Sequence, residues 1–82
     1  MCQLPRYFFN VVAAAGSVDD DEGTELASLE AARAEALDDA RALMSDAIRG
    51  GSDISGRHID ICDSAGAVLM TVEFAEAITR RD

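Results

Sequence analysis

Lysine is missing from this sequence: its seven basic residues are all arginine, set against 16 aspartates and glutamates for a net charge of −9. Affinity for a nucleic-acid backbone comes from basic side chains that displace counterions, so a chain this poor in them is not expected to bind nucleic acid. Arginine-only usage, with abundant Ala and Asp, reads as a GC-rich coding bias rather than a functional device. Cysteine is also scarce, with Cys2 near the start and Cys62 in a segment of strand character. Neither number nor spacing suggests a disulfide framework or a zinc site, and free thiols in a cytoplasmic protein are the expectation. Long apolar runs are lacking too: none approaches the roughly 20 residues that span a bilayer, so no membrane partner is expected. The stretch Arg6 to Gly16 imitates a short signal peptide, with a basic residue, the run Tyr7 to Val12 and the small tail Ala13-Ala14-Ala15. Asn10 interrupts that run, however, and cleavage would delete the best strand of the chain. Glycine-rich phosphate loops, internal repeats, linkers and low-complexity tracts do not occur.

What remains is the composition of a folded protein, 49% apolar and 28% charged over 82 residues. One domain is expected over residues 5–78, with an N-terminal extension 1–4 and a C-terminal tail 79–82. A domain this small buries only roughly 60–65% of the surface its unfolded chain exposes, which favours a homodimer that covers more apolar area.

Arg6 to Ala13 is β-branched and aromatic and ends at Ala-Gly-Ser, which predicts a strand. Tyr7, Phe9 and Val11 then share one face, and Phe8, Asn10 and Val12 the other. Val18 to Glu22 is expected as a short acidic return strand at an edge, where its four carboxylates discourage association. Ser28 is placed to cap a helix in which Leu29, Ala32, Ala36, Leu37, Ala40, Leu43, Met44, Ala47 and Ile48 recur at helical spacing until Gly50-Gly51. Asp38–Arg41 and Asp46–Arg49 are spaced as ion pairs on its outer face. Arg57 to Cys62 and Ala67 to Phe74 predict a hairpin across Asp63-Ser64-Ala65-Gly66. Pairing Cys62 with Ala67, Ile61 with Val68 and Ile59 with Met70 puts every large apolar residue except Leu69 on one side. The order is ββαββ: a two-layer α+β sandwich with one amphipathic helix on a three- or four-stranded antiparallel sheet.

No catalytic constellation and no cofactor motif emerges, so the chain is not expected to be an enzyme. The run Asp19-Asp20-Asp21-Glu22-Gly23 invites a calcium reading, but in EF-hand register Val18 and Leu29 fall where acidic ligands are required, and a solvated turn is the expectation. His58, Asp60 and Cys62 share one strand face and are the only metal candidates. At about 3.4 Å per residue His58 and Cys62 lie about 13–14 Å apart, too far for a nucleophile–base pair, and a metal site would need a second chain. Phe8, Val12 and Leu69 lie away from the helix, with no third layer in so short a chain, and mark a candidate face for self-association or partner docking.

These residues carry a resemblance. Pro5-Arg6-Tyr7-Phe8-Phe9 with Val11, then Asp20, Glu22-Gly23-Thr24-Glu25-Leu26, Leu29-Glu30-Ala31-Ala32-Arg33 with Glu35-Ala36, and Gly56-Arg57, Ile59, Asp63, Gly66, Val68-Leu69, Thr71-Val72 and Phe74 form an ordered pattern. Over about residues 5–78 the chain resembles a family of uncharacterised small alphaproteobacterial domains. Members often carry His where this chain has Asn10, and Met1 to Leu4 departs from their usual start. The resemblance implies the fold and a small bacterial protein, and it supplies no activity or catalytic residues. A looser similarity, to small antitoxin-like domains of the partial ribonuclease-H type, is analogy of architecture alone. The functional expectation is a non-enzymatic cytoplasmic interaction module that self-associates as a dimer. Its rivals are an acidic, antitoxin-like or nucleic-acid-mimicking neutraliser of a protein partner, and a metal-dependent sensor or enzyme centred on His58, Asp60 and Cys62.

Overall fold

The apolar, β-branched run Arg6–Ala13 forms strand β1 over those residues, and in the computed structural model, which describes residues 4–78, this strand organises the sheet. On one side β1 pairs antiparallel with β4 (His58–Cys62), from Phe8↔Cys62 to Val12↔His58. On its other side two short strands divide its length: β2 (Gly16–Val18) takes the C-terminal end and β3 (Thr24–Glu25) the N-terminal end. The last strand, β5 (Val68–Glu73), lies beyond β4, for an order β2-β1-β4-β5 with β3 also beside β1. Helix α1 (Leu29–Arg49) covers one face, so the architecture is a two-layer α+β sandwich. The sheet has five strands rather than three or four. The cause is the acidic segment: the return strand is Gly16–Val18, Asp19 to Gly23 loops out, and the chain re-enters the sheet at Thr24.

Helix α1 begins where Ser28, in extended conformation, accepts a hydrogen bond on Oγ from the Ala31 N–H at 3.1 Å, satisfying one of the unpaired donors of the first turn. It ends in a paired-carbonyl motif built on Gly51 at φ +86°, with the Gly51 N–H donating to the Ile48 carbonyl at 2.9 Å and the Ser52 N–H to that of Ala47 at 2.8 Å. Ala32, Ala36 and Ala40 are each 0% exposed, and with Met44 they form a narrow stripe at i, i+4 spacing. Small side chains let the helix axis approach Ile59, Ile61, Val72 and Phe74, the largest fully buried side chains. Leu43 and Ile48, expected on that stripe, are instead 40% and 68% exposed. A helix of 21 residues is about 32 Å long, whereas strands of five or six residues run about 17–20 Å. The last helical turn therefore overhangs the sheet. Of the two expected ion pairs, Asp38–Arg41 forms at 2.9 Å and Asp46–Arg49 does not.

The β4–β5 hairpin keeps its expected faces but not its expected register. Ile61 pairs with Met70 and Ile59 with Val72, two residues along from the pairing expected, so Ile59, Ile61, Met70, Val72 and Phe74 still face the helix because side chains alternate with period two. A bulge at Ile61/Cys62 absorbs the difference: Cys62 pairs with Val68, and Leu69 is the additional residue. The connecting loop sets this register. Asp63 Oδ1 accepts from the N–H groups of both Ala65 and Ala67 at 2.9 Å, and the Ala67 carbonyl accepts from the Asp63 N–H at 3.0 Å, which extends the loop through Ala67. Val68, expected in the core, is accordingly 55% exposed. After Glu73 the chain leaves the sheet in a 3₁₀ turn, Phe74–Ala77, rather than ending as strand. That turn is tied to α1 by Arg41, whose Nε donates to the Ala77 carbonyl at 3.0 Å, and by the Arg33–Glu76 ion pair at 3.1 Å.

Candidate functional site

The sheet face turned away from α1 carries three rows across β1, β4 and β5: Phe8–Cys62–Val68, Asn10–Asp60–Thr71 and Val12–His58–Glu73. The middle row is polar and internally bonded. Thr71 Oγ1 donates to Asp60 Oδ1 at 2.9 Å, and His58 Nε2 lies 3.6 Å from the same oxygen. His58 and Asp60 are thus brought together, while Cys62 is directed elsewhere: its Sγ lies 3.6 Å from Asn10 Nδ2 and its residue is only 4% exposed. Burial first, then the carboxylates of Asp60, Asp63 and Asp19, pushes the Cys62 thiol above its ordinary pKa. A thiol held protonated is a poor nucleophile and a poor metal ligand. Among the described residues no three His, Cys, Asp or Glu side chains converge as a metal-holding group; Cys2 lies outside the described residues.

The three candidate interaction residues are not one continuous patch. Phe8 and Val12 are half-buried and stand on either side of the polar Asn10 row. Leu69 is 43% exposed beside the more exposed Val68 on the edge strand β5, and Val18 is exposed on the opposite edge strand β2. Residues 1–3 of the N-terminal extension and the tail 79–82 lie outside the described residues. A second apolar depression of about 370 Å³ lies where α1 overhangs, floored by Met44, Ile48, Ala77 and Ile78 and flanked by Arg41 and Arg49.

Asp20 is the functional-looking residue that sequence reasoning missed, and its work is architectural. Phe9 sits between the lengths of β1 taken by β2 and β3 and has no strand partner there. Its N–H donates instead to Asp20 Oδ2 at 3.2 Å, while Asp20 Oδ1 accepts from the N–H groups of Glu22 and Gly23, both at 3.1 Å. Asn10 Oδ1 returns the contact by accepting from the Asp20 N–H at 2.9 Å. One carboxylate thereby replaces the missing stretch of strand. Both of its oxygens are engaged by backbone donors. Arg6 closes the loop from outside, donating to the Glu22 carbonyl at 2.7 Å and to Glu25 Oε1 at 2.9 Å. The signal available in the sequence was local: an Asp followed three residues later by Gly is the pattern of a side-chain-bonded turn.

No described helix is long and apolar enough to cross a membrane. A family profile described as Domain of unknown function (DUF6894) matches residues 6–75. No curated protein and no solved structure matches the chain.

Proposed function

Since the chain belongs to the DUF6894 family of domains of unknown function, its surfaces are the guide to its role, and we propose that it is a non-enzymatic interaction module that self-associates through the β5 side of its sheet. One observation carries this reading: two of the three exposed large apolar residues of the sheet, Val68 and Leu69, stand side by side on the edge strand β5, with the third, Val18, on the opposite edge strand β2. The chemistry points the same way. Asp60 is shared between Thr71 and His58, and the Cys62 thiol is buried, pushed up in pKa and turned to Asn10. A free, buried thiol also fits a reducing cytoplasm. Light scattering on purified protein tests the reading. Leu69→Lys is expected to reduce the assembly to the mass of one chain, while Phe8→Lys, on β1 and separated from β5 by β4, is expected to leave the assembly mass unchanged. An unaltered mass for Leu69→Lys would remove the β5 side from consideration.

A second reading, an acidic neutraliser of a basic partner, is favoured by Asp39. Loss of solvent around its carboxyl, followed by the neighbouring charges of Glu35, Asp38 and Asp20, raises its pKa. Crowded carboxylates of this kind are relieved by an arriving cationic surface. Partner capture that weakens steeply with salt supports this reading, and salt-insensitive capture counts against it.

A further inference from the structure

We propose that the depression at the overhanging end of α1 binds a medium-chain carboxylate, with the acyl tail on its apolar floor and the head group on Arg49. This site is independent of self-association. The floor is Met44 and Ile48 of the helix with Ala77 of the 3₁₀ turn and Ile78 after it, and the space they bound is about 370 Å³. It exists because α1 outruns the sheet: its last turn has no strand beneath it, and Ile48 and Ile78 are each more than half exposed. The residues after Ile78, Thr79-Arg80-Arg81-Asp82, bring no apolar side chain that could stand in for a ligand's tail.

Charge selects the head group. The chain has 16 acidic residues against seven basic ones, yet among the described residues both charged side chains that line the depression are arginines. Their roles differ. Arg41 is committed, with Nε donating to the Ala77 carbonyl at 3.0 Å and Nη1 to Asp38 Oδ1 at 2.9 Å, which fixes the wall between helix and 3₁₀ turn and offsets its charge. Arg49 makes no ion pair among the described residues. The Asp46, Ala47 and Ile48 carbonyls beside it accept from the N–H groups of Gly50, Ser52 and Gly51, so the negative end of the helix is not left bare against an arriving anion. A guanidinium with its donors available holds a carboxylate through two parallel hydrogen bonds. Ser45, one turn earlier on the same lining, adds a hydroxyl donor.

Size selects the class of ligand. A stable protein interface covers about 800 Å² per partner, more than four apolar side chains provide. A volume of about 370 Å³ falls instead near the low end of small-molecule sites, which span about 300–1,000 Å³. A short acyl chain fits that space better than a protein segment or a long lipid.

Titration of the isotope-labelled whole chain with sodium decanoate below its micellar concentration, followed by two-dimensional NMR, tests the site. Saturable shifts are expected at the amides of Ser45, Ile48, Arg49, Ala77 and Ile78, and none with sodium acetate, which has the head group alone. Ile48→Asp, at an exposed position outside the core, should abolish them. Arg49→Gln should weaken affinity about three- to fivefold, the scale of an exposed ion pair. Decyltrimethylammonium carries the same tail with the opposite charge and is drawn to a chain of net charge −9. Saturation of the same amides by it with the affinity of decanoate would show that the head group is not read, and would overturn the proposal. An absence of saturable decanoate shifts, shifts confined to other parts of the chain, or unchanged affinity in Arg49→Gln would overturn it equally.

Discussion

At the scale of single residues, Asp20 does what a strand would otherwise do, and its substitution should show it. Asp20→Asn keeps the shape but exchanges one acceptor oxygen for an amide that faces N–H donors. A loss of about 2 kcal/mol is expected, measured by urea unfolding near neutral pH. Burial alone would push the Asp20 carboxyl up in pKa, but the N–H groups of Gly23, Phe9 and Glu22 together outweigh it and hold the group below its ordinary value. A carboxylate depressed in the folded state contributes stability that is present in full above the unfolded value of about 3.9 and is lost as pH falls through the folded one. The gap between wild type and Asp20→Asn should therefore close as the medium is acidified below about pH 4. Gly23 serves the same loop at φ +69°, and an added Cβ would meet Arg6 Cγ at 2.8 Å, Phe8 Cε2 at 2.9 Å and the Tyr7 carbonyl at 3.0 Å. Gly51, at φ +86°, has open space around it. Gly51→Ala should cost about 1–2 kcal/mol for backbone conformation alone, and Gly23→Ala distinctly more, as read from thermal or urea midpoints. Asp20 and Gly23 both belong to the pattern of residues that carried the family resemblance. Their role was hidden because it depends on a gap between β2 and β3 that no local pattern announces.

At the scale of elements, legibility follows how local the determinants are. Strand β1 was readable from its alternation and its Ala-Gly-Ser stop, and α1 from Ser28, the alanine stripe and Gly50-Gly51, because each is fixed by neighbours in sequence. Ser28→Ala should accordingly cost about 1 kcal/mol by removing the acceptor for the Ala31 N–H, measured by urea unfolding. The hairpin was half readable. Its faces followed from the apolar pattern of Ile59, Ile61, Met70 and Val72, whereas its register was set by Asp63, whose side chain binds two loop N–H groups and displaces β5 by two residues. The displacement matters beyond the loop, since it turns Val68 out of the core and makes Leu69 the bulged residue. The exposure of Leu43 and Ile48 was unreadable for a different reason: helical periodicity specifies direction around the axis but not how far the sheet extends beneath it.

At the scale of the whole molecule, one helix covers one face of the sheet, the far face is divided by a polar row, and β5 has a strand neighbour on one side only. Of the candidate site residues, His58 and Asp60 are neighbours as their shared face required, Cys62 is drawn to Asn10, and Leu69 stands apart from Phe8 and Val12. The net charge of −9 sets the condition under which assembly is to be examined, because repulsion between copies is screened over about 8 Å at physiological ionic strength. Sedimentation equilibrium of the unmodified chain at that ionic strength, across a wide range of protein concentration, bears most directly on the account. A mass converging with concentration on twice the 8.7 kDa of one chain is the predicted result, and a mass fixed at one chain throughout the range would contradict it.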